Sequence, residues 1–235
     1  MTRALAIETS SRIGSVAIVR DGAVVVEEQF QHGLQHAAHL LPMIDRLCRA
    51  QGWSPADVQH LYLSAGPGSF TGLRIGITLA KSLALTMGIK IVAVPTVRVL
   101  VENAPTEARR VVIVLDAKRD QIFTALFDRD EGRWLEQEPA HLDTLAGMLA
   151  RAERPVHLLG EGIPFHGKFI PKDDQVIVTD PGLWRPRAGI VASIGMEMAA
   201  RQEFADPDRL TPIYLRKPEA EEKYEAKDQP QMGHG

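Results

Sequence analysis

The 235-residue sequence holds one cysteine, Cys48. A lone thiol excludes an internal disulfide and fits a reducing compartment. A basic excess is missing too: 27 Lys and Arg face 30 Asp and Glu, a formal net charge of −3. Proteins that grip nucleic acid unaided carry a surplus of cations, because neutralising phosphates drives that binding. No apolar run approaches the roughly 20 residues needed to cross a bilayer. The opening Met-Thr-Arg-Ala-Leu-Ala-Ile-Glu turns polar after four apolar residues, too short for a signal-peptide core. The expectation is a cytoplasmic protein with no membrane partner. What remains is ordinary globular composition, 45% hydrophobic and 24% charged, which excludes disorder or a fibrous chain for the bulk. The length admits one large domain or two small ones.

Apolar runs and turn signals outline alternating elements. Strands are expected at Ala4–Ile7, Ser15–Val19 and Ala23–Val26, the last two joined by Arg20-Asp21-Gly22 as a hairpin. Leu40, Ile44 and Leu47 recur at helical spacing, so a helix is expected from Gln35 to Gln51, either kinked at Pro42 or starting there. A strand at Leu61–Ser64, a helix at Thr71–Met87 stopped by Gly88, and a strand at Ile91–Val94 complete the first half. The second half repeats the order: strands at Val111–Leu115, Gln121–Phe127 and Trp134–Glu138, a helix at His141–Arg151, strands at Val156–Leu159 and Val176–Val178, and a last helix at Ala188–Gln202. A duplicated order implies an α/β protein of two similar lobes around a cleft. The expected division is a first lobe at 1–104, a second at 105–212 and a partly disordered segment at 213–235, polar after Arg216.

Chemistry is most readable at Gly66-Pro67-Gly68-Ser69-Phe70-Thr71-Gly72, a strand-to-helix turn whose exposed N–H groups suit an anion. It is no Walker A loop, since Leu73-Arg74 follows the last glycine; the Rossmann interval and the nucleophile-elbow spacing fail as well. The plainer alternative is a turn with Ser69 or Thr71 as helix cap. Glu8-Thr9-Ser10-Ser11 ends the first strand, where related nucleotide-binding folds place an acid, but no glycine follows Glu8 to admit a phosphate closely. These hydroxyls equally suit a strand-end turn. His36 and His39 share a helix face, yet two histidines fall short of a metal site. Gly72, Gly76, Ala80 and Ala84 form a strip of small residues along the second long helix. Either the protein's own sheet or first helix packs there, or a partner's helix does.

At Ile7-Glu8-Thr9-Ser10, Gly66 through Gly76, Leu115-Asp116-Ala117-Lys118-Arg119 and Pro212-Ile213-Tyr214-Leu215-Arg216 the sequence closely resembles the TsaB (YeaZ) family, across almost the whole chain. The resemblance implies the two-lobed fold shared by sugar kinases, Hsp70 and actin (the ASKHA fold), with duplicated βββαβα lobes. It further implies a part in making threonylcarbamoyladenosine beside the tRNA anticodon. TsaB-like proteins are non-catalytic partners of the transferase TsaD, joined by the ATPase TsaE, and would meet tRNA only through that complex. TsaD holds its metal with a His-x-x-x-His pair; the matching stretch here, Val94–Glu102, has no histidine and carries Arg98, a cation that repels a metal. No cofactor or metal is therefore expected. Glu8, Thr9, Ser10, Ser11, Gly66, Gly68, Ser69 and Thr71 stand as vestigial phosphate-loop candidates. The resemblance implies that the two long helices pack on TsaD, with Leu40, Ile44, Leu47, Gly72, Leu73, Gly76, Ala80 and Ala84 as the expected interface. Two alternatives stay open: an ATP-dependent transferase or peptidase-like enzyme in its own right, using Ser69, Thr71 and Glu8, or a module that pairs with itself when alone.

Overall fold

Two short turns set the hairpins of the molecule. In the computed structural model, Asp21 (φ 51°) and Gly22 (φ 82°) connect strands β2 (Ile13–Arg20) and β3 (Ala23–Gln31), and Glu131 (φ 45°) and Gly132 (φ 81°) connect β8 (Ile122–Asp130) and β9 (Arg133–Asp143). Positive φ at both central residues is the two-residue turn whose twist matches that of paired strands. The structure describes residues 2–31 and 36–216, without the side chains of 31 and 36–39. The first residue of the expected 35–51 helix, the His36/His39 pair and the polar stretch 217–235 lie outside what it describes.

The remaining strands are β1 (Arg3–Glu8), β4 (His60–Gly66), β5 (Lys90–Pro95), β6 (Arg110–Ile113), β7 (Leu115–Asp116), β10 (Val156–Leu159) and β11 (Val176–Val178). The helices are α1 (His36–Ala50), α2 (Phe70–Met87), α3 (Thr96–Val101), α4 (Leu145–Arg151), α5 (Ile163–His166) and α6 (Ala188–Ala200). The first sheet runs β3-β2-β1-β4-β5, with β1 parallel to β4 and antiparallel to β2. The second runs β11-β10-β6-β8, with β7 and β9 also paired to β8. Each lobe thus puts its first strand at the centre, a hairpin on one side and parallel strands on the other.

Strand β1 is buried on both faces, so it reads as an unbroken apolar run. Leu5 and Ile7 point to the core beneath α1 and α2, whereas Ala4 and Ala6 point to the core beneath α6. Alanines there let α6 lie close, and Gly195 of α6 meets the Tyr62 ring so tightly that a Cβ would sit 2.5 Å from Cγ. Helix α6 follows the second sheet in sequence yet packs on the first, which the expected division into lobes does not anticipate. Its N-terminus is tied there: Ala188 N donates to Ser15 Oγ (2.8 Å) and Gly189 N to Glu27 Oε1 (3.1 Å).

Helix α1 runs through Pro42 and so does not start there, the first of the two alternatives. Three expectations change. The expected strand at 111–115 is divided at Val114, whose backbone bonds Leu159 and Gly162 instead. Residues His141–Asp143, expected in a helix, belong to β9, because pairing with Ile122–Thr124 of β8 extends that strand. Helix α4 then starts after Thr144, whose hydroxyl accepts from Gly147 N at 3.1 Å. Thr96–Val101, assigned no element from sequence, is helix α3. Among the described residues no helix is long and apolar enough to cross a membrane.

Candidate functional site

The carboxyl ends of the central parallel strands meet at the cleft, the place where open α/β sheets bind ligands. From the first lobe come Glu8–Arg12 and the loop Gly66–Ser69; from the second come Asp116–Asp120 and Gly160–Gly162. The lobes touch there: Arg12 N donates to Glu161 Oε2 at 3.3 Å.

On the first-lobe side the loops close on one another. Glu8 is 0% exposed. Its Oε1 accepts from the backbone N of Ser10 and from Ser10 Oγ (2.6 Å), and its Oε2 accepts from Ser64 Oγ. Burial pushes its carboxyl above the ordinary range, only partly opposed by the bonds from Ser10 and Ser64. Ser69 N donates to Ser10 O at 2.7 Å, taking an N–H that a phosphate oxygen would otherwise use. A Cβ on Gly68 would stand 2.4 Å from that same carbonyl, so glycine is required for the close approach. Ser69 caps α2 by accepting from Gly72 N (3.3 Å), and Gly88 (φ 69°) ends it in the left-handed region. Ser11 Oγ donates to Ile13 O at 2.8 Å, Thr9 is buried and Thr71 is exposed. Of the phosphate-loop candidates, Glu8, Ser10, Gly68 and Ser69 are thus joined by direct contacts, Gly66 lies beneath Ile213, and Thr71 stands apart.

The second-lobe side is polar and open. Asp116 accepts from Lys118 Nζ (2.6 Å), Lys118 N (3.1 Å) and His166 Nε2 (3.2 Å). Although burial opposes it, these donors hold the Asp116 carboxyl below its usual range. Sequence reasoning marked Asp116 only as part of the family-like stretch Leu115–Arg119; it missed the pairing with His166, 50 residues away, and it missed Phe165 beside it. Arg98 sits half-buried on α3. Among the described residues no three His, Cys, Asp or Glu side chains gather as metal ligands.

Beside the cleft lies the helix pair. The small-residue strip faces inward: Gly72, Gly76 and Ala80 are buried, and a Cβ on Gly76 would stand 2.6 Å from Thr9 Oγ1. Leu40, Ile44, Leu47 and Leu73 are buried in the chain's own interior, and Ala84 packs against the same core. These expected interface side chains are thus packed within the chain itself, and of them Leu40 also lines the groove between the two helices. The exposed face carries Leu41, Phe70, Thr78, Ser82, Leu85 and Met87 instead, with Leu85 87% exposed. Between α1 and α2 runs an apolar groove of about 430 Å³, floored by Leu40, Ile75, Leu79 and Leu83. Its end near the cleft is built by Arg74, which lies over the Phe70 ring (3.9 Å) and donates to Tyr214 Oη at 3.1 Å.

The model of a family described as "TsaD: tRNA N6-adenosine threonylcarbamoyltransferase" matches residues 30–172. The tRNA threonylcarbamoyladenosine biosynthesis protein TsaB of Bacillus subtilis is 32% identical over 225 residues, covering 94% of this chain and 96% of the relative. The Escherichia coli protein of that name is 29% identical over 234 residues, covering 96% and 100%. The solved structure of YeaZ from Pseudomonas aeruginosa superposes with a TM-score of 0.77 at 26% identity, covering 92% of this chain and all of that one. The strand order of the two sheets and this likeness give the two-lobed fold of sugar kinases, Hsp70 and actin. The chain belongs to the TsaB (YeaZ) family of tRNA threonylcarbamoyladenosine biosynthesis proteins.

Proposed function

We propose that this chain is a non-catalytic subunit that offers the outer face of α1 and α2 to a TsaD-like transferase, with a TsaE-like ATPase joining. It would thereby support transfer of the threonylcarbamoyl group to the adenosine beside the tRNA anticodon. The observation that carries the reading is the apolar groove between two helices whose exposed side chains include Leu41 and Leu85. Contiguous exposed apolar surface of this kind marks interaction sites, and a helix from a partner fits between two helices.

The first-lobe strand ends support the same reading. A phosphate approaching the start of α2 would find the Ser69 N–H already given to Ser10 and the Ser69 hydroxyl given to Gly72. A metal approaching Glu8 would find both carboxylate oxygens bonded inside the protein. The enzyme alternative asks Ser69 to be a nucleophile, and its hydroxyl serves as a cap instead. In the absence of the transferase, the same helix face would pair with a second copy, since two-fold contacts between identical patches are common.

The test is co-elution with the TsaD of the same genome, followed by a tRNA modification assay. Leu85→Glu and Leu41→Glu, on exposed positions, should abolish co-elution and modification together while leaving the thermal melt unchanged. A complex that survives both substitutions overturns the reading. Gly76 is the wrong probe, because a side chain there strikes Thr9 within the protein itself.

A further inference from the structure

We propose that the second-lobe mouth of the cleft is an RNA-binding surface that holds an unpaired loop through Phe165 and the cations Arg12, Lys118 and Arg187. The inference rests on the family's place in tRNA modification, and it concerns a surface that shares no residue with the helix groove.

Phe165 is a large aromatic ring left 49% exposed at the end of β10, on α5. Two cations converge on it from different lobes: the Arg12 guanidinium carbon lies 5.4 Å from the ring centroid, and Lys118 Nζ lies 5.4 Å from it. Lys118 also pairs with Asp116. The Arg12 guanidinium has no carboxylate partner among the described residues, so its charge is held in place by the ring instead of being neutralised. Arg185 pairs with Glu161 (3.4 Å), the residue that accepts from Arg12 N, and so continues the belt. Next to it Arg187 is exposed, again with no carboxylate partner among the described residues. Lys168 lies on the other side, 4.7 Å from the Phe169 ring and paired with Asp120. Asp116, Asp120 and Glu161 each face a lysine or arginine, and Glu27, near Arg187, accepts from Gly189 N at the start of α6. Arg12 and Arg187 have no carboxylate within ion-pair distance among the described residues.

The backbone contributes the second observation. Lys118, Arg119 and Asp120 take φ of 64°, 54° and 56°, three successive non-glycine residues in the left-handed region. Side chains rarely adopt this conformation singly, and such strain concentrates at functional positions. The turn is fastened by Ala117 N to Gln121 O (2.9 Å) and Gln121 N to Lys118 O (3.0 Å), and all three side chains are exposed. A strained turn that sets cations beside an uncovered ring suits a ligand with a flat face and anionic links. Unpaired nucleotides have both: bases stack on aromatic rings, and phosphates meet the flanking cations. Aliphatic protein surface is the poorer match, because the belt offers aromatic rings and charges, whereas the apolar groove between α1 and α2 is lined by leucine and isoleucine.

A small belt on a chain of net charge −3 should hold RNA weakly and in a strongly salt-dependent way. The experiment is fluorescence anisotropy of the full chain with a labelled RNA hairpin carrying an unpaired loop, at about 50 mM salt and then at rising salt. Phe165→Leu should weaken hairpin binding roughly tenfold, the loss expected for one stacked base, and leave binding to a blunt duplex of the same stem unchanged. Arg12→Ala with Arg187→Ala should lower the slope of log affinity against log salt by about 1.4 to 1.8. Both variants should melt like the parent and still co-elute with TsaD; Leu85→Glu should lose TsaD and keep the RNA. The proposal is overturned if the parent chain does not bind the hairpin at the lowest salt, if these substitutions leave the affinity unchanged, or if polyglutamate displaces the hairpin as well as an RNA competitor does.

Discussion

Glu8 and Asp116 hold corresponding places in two copies of one design, Glu8 at the end of β1 and Asp116 at the end of β7, the short strand that follows the central β6. Their surroundings are opposite. Glu8 is wholly buried among hydroxyls and backbone, which favours the neutral acid; Asp116 faces Lys118 and His166, which favour the carboxylate. In each lobe a glycine after the second parallel strand presses on that strand end: Gly68 on Ser10 O, and Gly162 on Asp116 N, where a Cβ would stand 2.6 Å away. The packing rule is therefore shared and the electrostatics are not. A duplicated fold can close one strand end as a structural joint and keep its counterpart polar and open to solvent.

The largest expected effect breaks the closed joint. Glu8→Leu strands Ser10 N and the hydroxyls of Ser10 and Ser64 without an acceptor, at about 1–3 kcal/mol for each buried group left unsatisfied. A loss of about 3 kcal/mol or more in urea unfolding is expected. Asp116→Leu should cost less, about 1–3 kcal/mol, since Lys118 is exposed and turns to water and only the buried His166 ring loses its acceptor. Equal losses at the two positions would erase the contrast.

The shared packing comes next. Gly68→Ala and Gly162→Ala should each destabilise by about 1–3 kcal/mol, because the clashing atoms are backbone and cannot rotate away. If one substitution is neutral, the glycines are not equivalent and the parallel between the lobes fails.

Acid titration separates the two carboxyls by sign. Glu8 has its folded value raised above the ordinary 4.5, so its stabilisation is complete below about that pH and fades as pH climbs through the folded value. Asp116 has its folded value lowered beneath 3.8, so its stabilisation is present above that pH and disappears as pH falls through the folded value. Asp116→Asn should therefore flatten the acid limb of the stability curve, and Glu8→Gln should flatten the decline above pH 4.5. Unfolding midpoints across pH 2.5–7 check both, and one common slope would refute the assignment.

Much of this frame is legible in local sequence. Asp21-Gly22 and Glu131-Gly132 announce the hairpins, Ser69 and Gly88 bracket α2, and the alternation of Ala4, Leu5, Ala6 and Ile7 marks a strand covered on both faces. What escapes depends on long-range pairing. The residues His141–Asp143 fit a helix until β8 claims them, although Thr144 carried a readable capping signal. The strip at Gly72, Gly76 and Ala80 shows that something lies close, and only the position of Thr9 shows that it is the protein itself. Phe165 reaches Arg12 and Lys118 by folding alone, so no spacing in the chain reveals that cluster.

The smallest expected effect sharpens the remaining contrast, between surface that stabilises this chain and surface that serves another. Leu85 is 87% exposed, so its methyl groups gain almost nothing from the chain's own folding, and exposed substitutions away from special features stay within about 0.5 kcal/mol. Leu85→Asn should leave the thermal midpoint of the isolated chain unchanged within error. Ile77, two turns earlier on α2 and 5% exposed, should on conversion to Ala cost about 2–5 kcal/mol. A leucine that contributes nothing to its own fold, yet abolishes co-elution when made polar, is there for a partner. If Leu85→Asn instead lowers the midpoint of the isolated chain, the helix face is part of its own packing and the groove loses its claim.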